Sequence, residues 1–202
     1  MPFKPGSSIT PRTLTPVTGP PVALPDPGPG RLTHLQFRRF AGCPVCNLHL
    51  QSVVRRHAEI EAAGIREVVL FHSPADELAE HTAGLPFPVI ADPAKHLYAE
   101  FGVEAAPRAL LDPRVWLPVL RAVARSAYQA ARRREHLPAA TPNGGRLGLP
   151  ADFLIASDGR VLAVTYGRHA YDQWSVDELL TLAGSAGMIP DSGKVAQPGD
   201  WE

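Results

Sequence analysis

The sequence predicts an α/β fold, a central mixed sheet with helices on its faces, and three observations carry that reading. Between residues 31 and 102, apolar strand candidates alternate with helical stretches. Further on, two apolar runs flank Asp158-Gly159, the signal of a tight hairpin. Cys43 and Cys46, the only cysteines in 202 residues, stand between the first strand and the first helix of the alternation.

Each element has a local cause. Proline accounts for 22 residues, nine of them within residues 1–30. That stretch reads either as disorder or as a short hairpin of edge strands around Gly19, with residues 1–11 a flexible N-terminal tail. Residues 32–40 read as a strand. A helix follows from Cys46 to Ala63, with Leu50, Val53 and Val54 on one face and Gly64 at its end. Val68-Val69-Leu70-Phe71 is a continuous apolar run, as in a strand buried on both faces. Ser73-Pro74 opens a short helix, Ser73 as N-cap and Pro74 in the first turn. Residues 87–91 form the next strand, and Asp92-Pro93 starts another helix by the same logic. A βαβα series of this kind implies parallel strand pairs.

The periodicity changes after Pro107. Asp112-Pro113 opens a long helix over 114–134 with six arginines and no acid within it. Val115, Trp116, Val119, Leu120 and Val123 give it an apolar stripe. Two such helices paired across a dimer would crowd their arginines, so the stripe is expected to pack on the protein's own body. A loop completes the 112–149 insertion. Residues 151–157 and 161–166 form the hairpin. Ser175-Val176-Asp177-Glu178 is a capping box for a last helix to Ala183. The expected organisation is a tail over 1–11, one domain over 12–187 and a polar C-terminal tail over 188–202.

Composition narrows the function. Hydrophobic residues make up 45% and charged residues 20%, enough apolar material for a core. Lys+Arg and Asp+Glu are 20 each, so the chain is not a strongly basic nucleic-acid binder. No apolar run approaches a membrane span, and residues 1–15 show no apolar stretch of the kind a secretory leader carries, so none is expected. Two cysteines do not make a disulfide-stapled scaffold, so a cytoplasmic setting is expected.

The chemistry concentrates at Gly42-Cys43-Pro44-Val45-Cys46. With Cys43 at the N-cap and Pro44 at the first helical position, Cys46 falls inside the first turn. Amide groups and the helix dipole stabilise a thiolate there. Two cysteines three apart on one turn can close a disulfide, so one attacks and the other resolves. Cys43, at the more exposed end, is the favoured attacker. Two rival readings stand beside this one. Cys43, Cys46 and His49 have a C-x2-C-x2-H spacing that suits part of a zinc site. A non-catalytic interaction module using the arginine-rich helix is the other. Arg38 and Arg39 alternate along the strand before the motif, so one of them points toward the cysteines and the other to the surface. Arg168, past the last strand, is a candidate for stabilising a thiolate or an anionic substrate.

The strand, C-x-x-C, helix series and the closing Gly148-Leu149-Pro150-Ala151-Asp152-Phe153 resemble the thioredoxin fold, whose cis-proline before a strand lies against the cysteines. Pro150 holds that place. Phe37 to Cys46, then Ile90-Ala91-Asp92-Pro93, Leu97-Tyr98 and Phe101-Gly102-Val103, and the inserted helix resemble the peroxiredoxin-like branch of the AhpC/TSA antioxidant superfamily over about residues 12–185. The peroxiredoxin motif P-x-x-x-T-x-x-C is not kept. With Cys46 as peroxidatic cysteine, Cys43 stands at the Thr position and Arg39 at the Pro position, and this alignment exchanges the two roles. With Cys43, Phe40 and Gln36 stand there. The hydroxyl that orients peroxide is therefore missing, whereas dithiol chemistry needs only the pair. The resemblance implies a thiol-dependent oxidoreductase acting on a small peroxide or disulfide. An external thiol reductant, thioredoxin-like or of low molecular weight, would regenerate it. No metal or organic cofactor is called for, and the assembly remains open, a homodimer included.

Overall fold

A computed structural model describes residues 2–103, 120–121, 123–124, 128 and 145–186. Its centre is a five-stranded sheet of order β5-β4-β3-β6-β7, formed by β3 (Leu32–Phe37), β4 (Ile65–Phe71), β5 (Val89–Ala91), β6 (Ala151–Ala156) and β7 (Val161–Tyr166). β3 pairs in parallel with β4, and β4 with β5. β6 runs antiparallel to β3 and to β7. The expected mixed sheet is therefore present. A separate two-stranded sheet, β1 (Arg12–Leu14) with β2 (Val22–Leu24), is the proline-rich hairpin.

Alternation along β3 sorts the core into two layers. Leu35 and Phe37 join Tyr98, Phe101 and Phe153 on one face, where the rings of Phe37 and Tyr98 meet edge-on at 4.9 Å. Val69, Phe71 and Leu154 face the helices α1 (Pro44–Arg55) and α5 (Val176–Ala186) on the other. The capping box forms as read: Glu178 N donates to Ser175 Oγ at 3.2 Å, and Ser175 N to Glu178 Oε2 at 2.7 Å.

Several boundaries differ from the reading, each for a physical reason. The helix expected over 46–63 is two helices, α1 and α2 (His57–Ala62). Arg56 leaves helical geometry at φ −113° and ties Glu59 to Asp177 of α5. Ser73 does not cap α3 (Ala75–Thr82), because its hydroxyl is committed to the loop before Cys43; Pro74 takes the N-cap. Asp92 caps α4 (His96–Glu100) from a distance, its carboxylate accepting from the amides of His96, Leu97 and Tyr98. The first residues, expected to be loose, are hydrogen-bonded along β7: Gly6 N donates to Val161 O at 2.8 Å and Ile9 N to Gly159 O at 2.9 Å.

Most of the 112–149 insertion and the 188–202 tail lie outside the described residues. Two members of the expected apolar stripe are described, and they are exposed rather than packed on the body: Leu120 by 63% and Val123 by 49%. No helix among the described residues is long and apolar enough to cross a membrane.

Candidate active site

The loop that carries the cysteines is fixed from both ends. β3 continues past Phe37, with Arg38 N donating to Leu70 O. His72 N then donates to Arg39 O at 3.1 Å, and Ala41 N to Ser73 Oγ at 2.9 Å. The chain reverses at Gly42 with φ +68°, a left-handed conformation that glycine adopts without penalty. Cys43 is thereby delivered to the N-cap of α1, with Pro44 in the first turn. The thiol takes the part a serine or aspartate usually plays at a helix start: Cys46 N donates to Cys43 Sγ at 3.4 Å.

Both thiols are free and buried, Cys43 completely and Cys46 to within 2%. The expectation that Cys43 is the more exposed is thus incorrect. Electrostatics distinguishes them instead. Burial opposes ionisation of Cys43, but the hydrogen bond from the Cys46 thiol, the charge of Arg39 and the amides of Cys46 and Val45 outweigh it, lowering its pKa to about 7. Burial pushes Cys46 up, and its bond to Cys43 and the charge there push it further, against a weaker pull from Arg39. Of the two, Cys43 is the more readily ionised.

Arg39 is the arginine that alternation sends toward the cysteines. Its Nη1 lies 3.8 Å from Cys43 Sγ, and its Nη2 donates to the carbonyl of Arg146. Arg38 does not reach the surface as expected. It is fully buried under α1, where its Nη2 donates to Asp152 at 2.8 Å and to Gln36. Glu67 and His34 extend this network, with His34 Nδ1 2.8 Å from Glu67. His49, from the same helix as Cys46, is buried nearby. Its pKa falls to about 3, first through burial and then through the charges of Arg38 and His34, against Asp152. Among the described residues, no group of three or more His, Cys, Asp or Glu is arranged to hold a metal ion.

Pro150 and Arg168 are brought to each other. Both line a cavity of about 260 Å³ with Leu149, Tyr166 and Gly167. The peptide before Pro150 is trans, not cis as the resemblance implied; the Pro150 carbonyl accepts from Gly167 N at 2.8 Å, extending the β6–β7 ladder. Arg168 keeps 77% of its side chain exposed and pairs with Asp172 at 3.2 Å. The same segment still reaches the site two residues earlier, since Gly148 packs against His72 and the stem of Arg39.

Two further residues stand at the loop. In sequence, a helix cap accounts for Ser73, whereas its hydroxyl holds Ala41 N. His81 gave no signal in the sequence, because it lies far along the chain on α3. A Cβ built on Gly42 would stand 2.6 Å from its Cε1 and 3.0 Å from its Nε2, so the imidazole covers the glycine.

A mixed sheet with parallel β5-β4-β3 and an antiparallel β6-β7 hairpin, with two cysteines opening the helix after β3, is a thioredoxin-like α/β fold. The comparisons with known proteins agree. A family model described as AhpC/TSA antioxidant enzyme matches residues 52–169, and the chain belongs to that family. The matched stretch begins past both cysteines. Among solved structures, the peroxidoxin BcpB of Mycobacterium tuberculosis superposes with a TM-score of 0.63 at 18% identity, covering 91% of this chain and 97% of that one. A cysteine-to-serine variant of peroxiredoxin 6 from Arenicola marina gives 0.65 at 17%, covering 99% and 80%. A protein assigned as the thiol:disulfide interchange protein DsbE of Chlorobium tepidum gives 0.56 at 19%, covering 92% and 98%. At these identities the likeness is one of fold. No curated protein sequence matches the chain.

Proposed function

We propose that the chain is a thiol oxidoreductase that reduces a small peroxide or a disulfide through Cys43 and Cys46. The observation that carries this is the asymmetry of the pair: Cys43 lowered to about 7 at the N-cap of α1, beside Arg39, with Cys46 held up on the same turn. A thiolate at neutral pH is the nucleophile in such chemistry, and a neighbouring thiol completes it. Family membership supports a thiol-dependent redox function. The lack of a P-x-x-x-T-x-x-C motif favours disulfide exchange over peroxide reduction, because exchange needs no hydroxyl to orient a peroxide. The protein's own sulfurs carry the electrons, and an external thiol returns them. A cytoplasmic setting, where thiols are kept reduced, fits this cycle.

Peroxide titration followed by intact mass tests the reading. The wild type is expected to lose two hydrogens as the disulfide closes. Cys46→Ser is expected to stop at a sulfenic acid or mixed disulfide on Cys43, and Cys43→Ser to react slowly. If oxidised wild type still alkylates at two thiols per chain, the pair is not redox-active.

A further inference from the structure

Beside the redox loop lies a cleft of about 330 Å³ between α1 and the end of α3. Its α1 wall is Asn47, Leu50, Gln51 and Val54, residues that follow one another on a single helical face. Extended one turn toward the N-terminus, that face arrives at Cys43, four residues before Asn47, whose amide donates to the Cys43 carbonyl at 2.9 Å. The opposite wall includes His81, the residue whose ring covers Gly42. The cleft therefore runs along α1 and ends at the cysteine loop, with His81 at the junction. Val54, with Leu85 across from it, supplies aliphatic surface over the buried Leu50. Asn47 and Gln51, one turn apart, supply carboxamides, which match the donor and acceptor pattern of a peptide backbone. Among the described residues, Glu80 is the one fully charged side chain lining the cleft, and no lysine or arginine lines it.

We propose that this cleft holds the non-reacting arm of the substrate, and that the arm is a short, uncharged peptide segment with aliphatic side chains, attached to a disulfide presented to Cys43. The proposal rests on the thiol oxidoreductase reading and names its substrate class. The volume is at the lower end of small-ligand sites and suits a few residues. Aliphatic side chains meet the Val54 and Leu85 surface, peptide groups meet Asn47 and Gln51, and Glu80 repels acidic arms. In the reaction, the Cys43 thiolate attacks one sulfur of the substrate disulfide. A Cys43 mixed disulfide forms, and the other half leaves as a thiolate. Cys46 then attacks Cys43 Sγ, giving its proton to solvent, and expels the first half as the second thiolate. Two electrons pass from the protein dithiol, which ends as the Cys43–Cys46 disulfide, to the substrate, which ends as two thiols once protonated. His81 is a positioning residue that must yield for the arm to approach the loop.

Single-turnover oxidation of the fully reduced chain tests the proposal, followed by loss of two thiols. The probes are the symmetrical disulfides of an acetylated, amidated cysteinyl-leucyl-leucine tripeptide and of its cysteinyl-aspartyl-aspartate counterpart, with hydrogen peroxide as the armless oxidant. The wild type is expected to prefer the leucyl over the aspartyl peptide by about tenfold, the size of discrimination a small pocket gives. Gln51→Phe, which fills the cleft, is expected to lower the ratio of leucyl-peptide rate to peroxide rate by about the same factor. Glu80→Lys, an exposed change near a helix C-terminus that the fold tolerates, is expected to raise the aspartyl-peptide rate. Equal wild-type rates on the two peptides, or an unchanged ratio in Gln51→Phe together with an unchanged aspartyl rate in Glu80→Lys, overturn the cleft assignment while the redox reading stands. Failure of every oxidant to remove the two thiols overturns the redox reading and the cleft assignment with it.

Discussion

At the scale of single residues, the site depends on which thiol carries the charge. Cys43 ionises with a pKa of about 7, so its alkylation by iodoacetamide is expected to rise with a midpoint near that pH. Arg39→Met removes the neighbouring charge and should move the midpoint upward and slow the single-turnover reaction at pH 7. An unmoved midpoint would show that the Cys46 thiol and the helix amides suffice without Arg39. The same shift has a consequence for stability. An acid whose folded pKa is depressed stabilises the fold above its unfolded value, near 8.5 for a thiol, and that contribution is lost as pH falls through about 7. The two cysteines and Arg39 were legible because spacing and strand alternation place them without tertiary information. His81 was not, since only the packing of α3 on the loop brings it to Gly42. Pro150 was legible as the residue that leads into β6, but not in its peptide geometry.

At the scale of elements, the face of β3 under α1 carries His34, Gln36 and Arg38, against Glu67 on β4 and Asp152 on β6. Alternation along a strand does not by itself say whether such a face meets solvent or a second layer. The layer of α1 and α5 over it makes it a buried face, and the charges balance there because Glu67 and Asp152 answer His34 and Arg38. Burial raises the pKa of Asp152, but Arg38 and His34 outweigh it and hold the carboxylate well below its ordinary value. Asp152→Asn leaves Arg38 buried without its counter-charge and also weakens the bond to Trp174 N. A loss of about 3–5 kcal/mol in urea unfolding at pH 7 is expected, the usual cost of breaking a buried pair from one side. Burial disfavours the charged form of His34, yet Glu67 and Asp152 raise its pKa to about 9. Its contribution is complete below about 6.5 and is lost as pH rises through 9, so Glu67→Gln should flatten the alkaline limb of the stability profile. The loop before α1 has its own test. Gly42→Ala meets both a positive φ and the His81 ring, so a loss of at least about 1–2 kcal/mol is expected. Combined with His81→Ala, part of that loss should return, because the second change removes the clash but not the strained φ.

At the scale of the whole molecule, the sheet order follows from sequence to a large extent, since βαβα alternation and a late hairpin leave few ways to arrange five strands. How the first residues attach was not legible. Nine prolines in thirty residues suggest looseness, and only the partners on distant elements show otherwise. Ser8 bridges to Arg160, Ile9 is buried against the hairpin, and Phe3 lies 4.9 Å from the ring of Phe101 with its amide donating to Tyr166 Oη at 2.8 Å. This segment closes the sheet face opposite α1, away from the cysteines, so its removal separates stability from chemistry. Ile9→Ala alone is expected to cost about 2–4 kcal/mol as a buried large-to-small change. At about 2–4 °C per kcal/mol for a chain of this size, that lowers the melting temperature by several degrees. Deleting residues 2–9 uncovers Phe101 and Phe153 as well and should lower it further. The rate at which peroxide removes the two thiols at 25 °C should stay close to that of the intact chain, because Arg39, Ser73 and the start of α1 are untouched. If that rate falls in step with the melting temperature, the N-terminal segment holds the redox loop in place through the sheet, and the two faces are mechanically coupled.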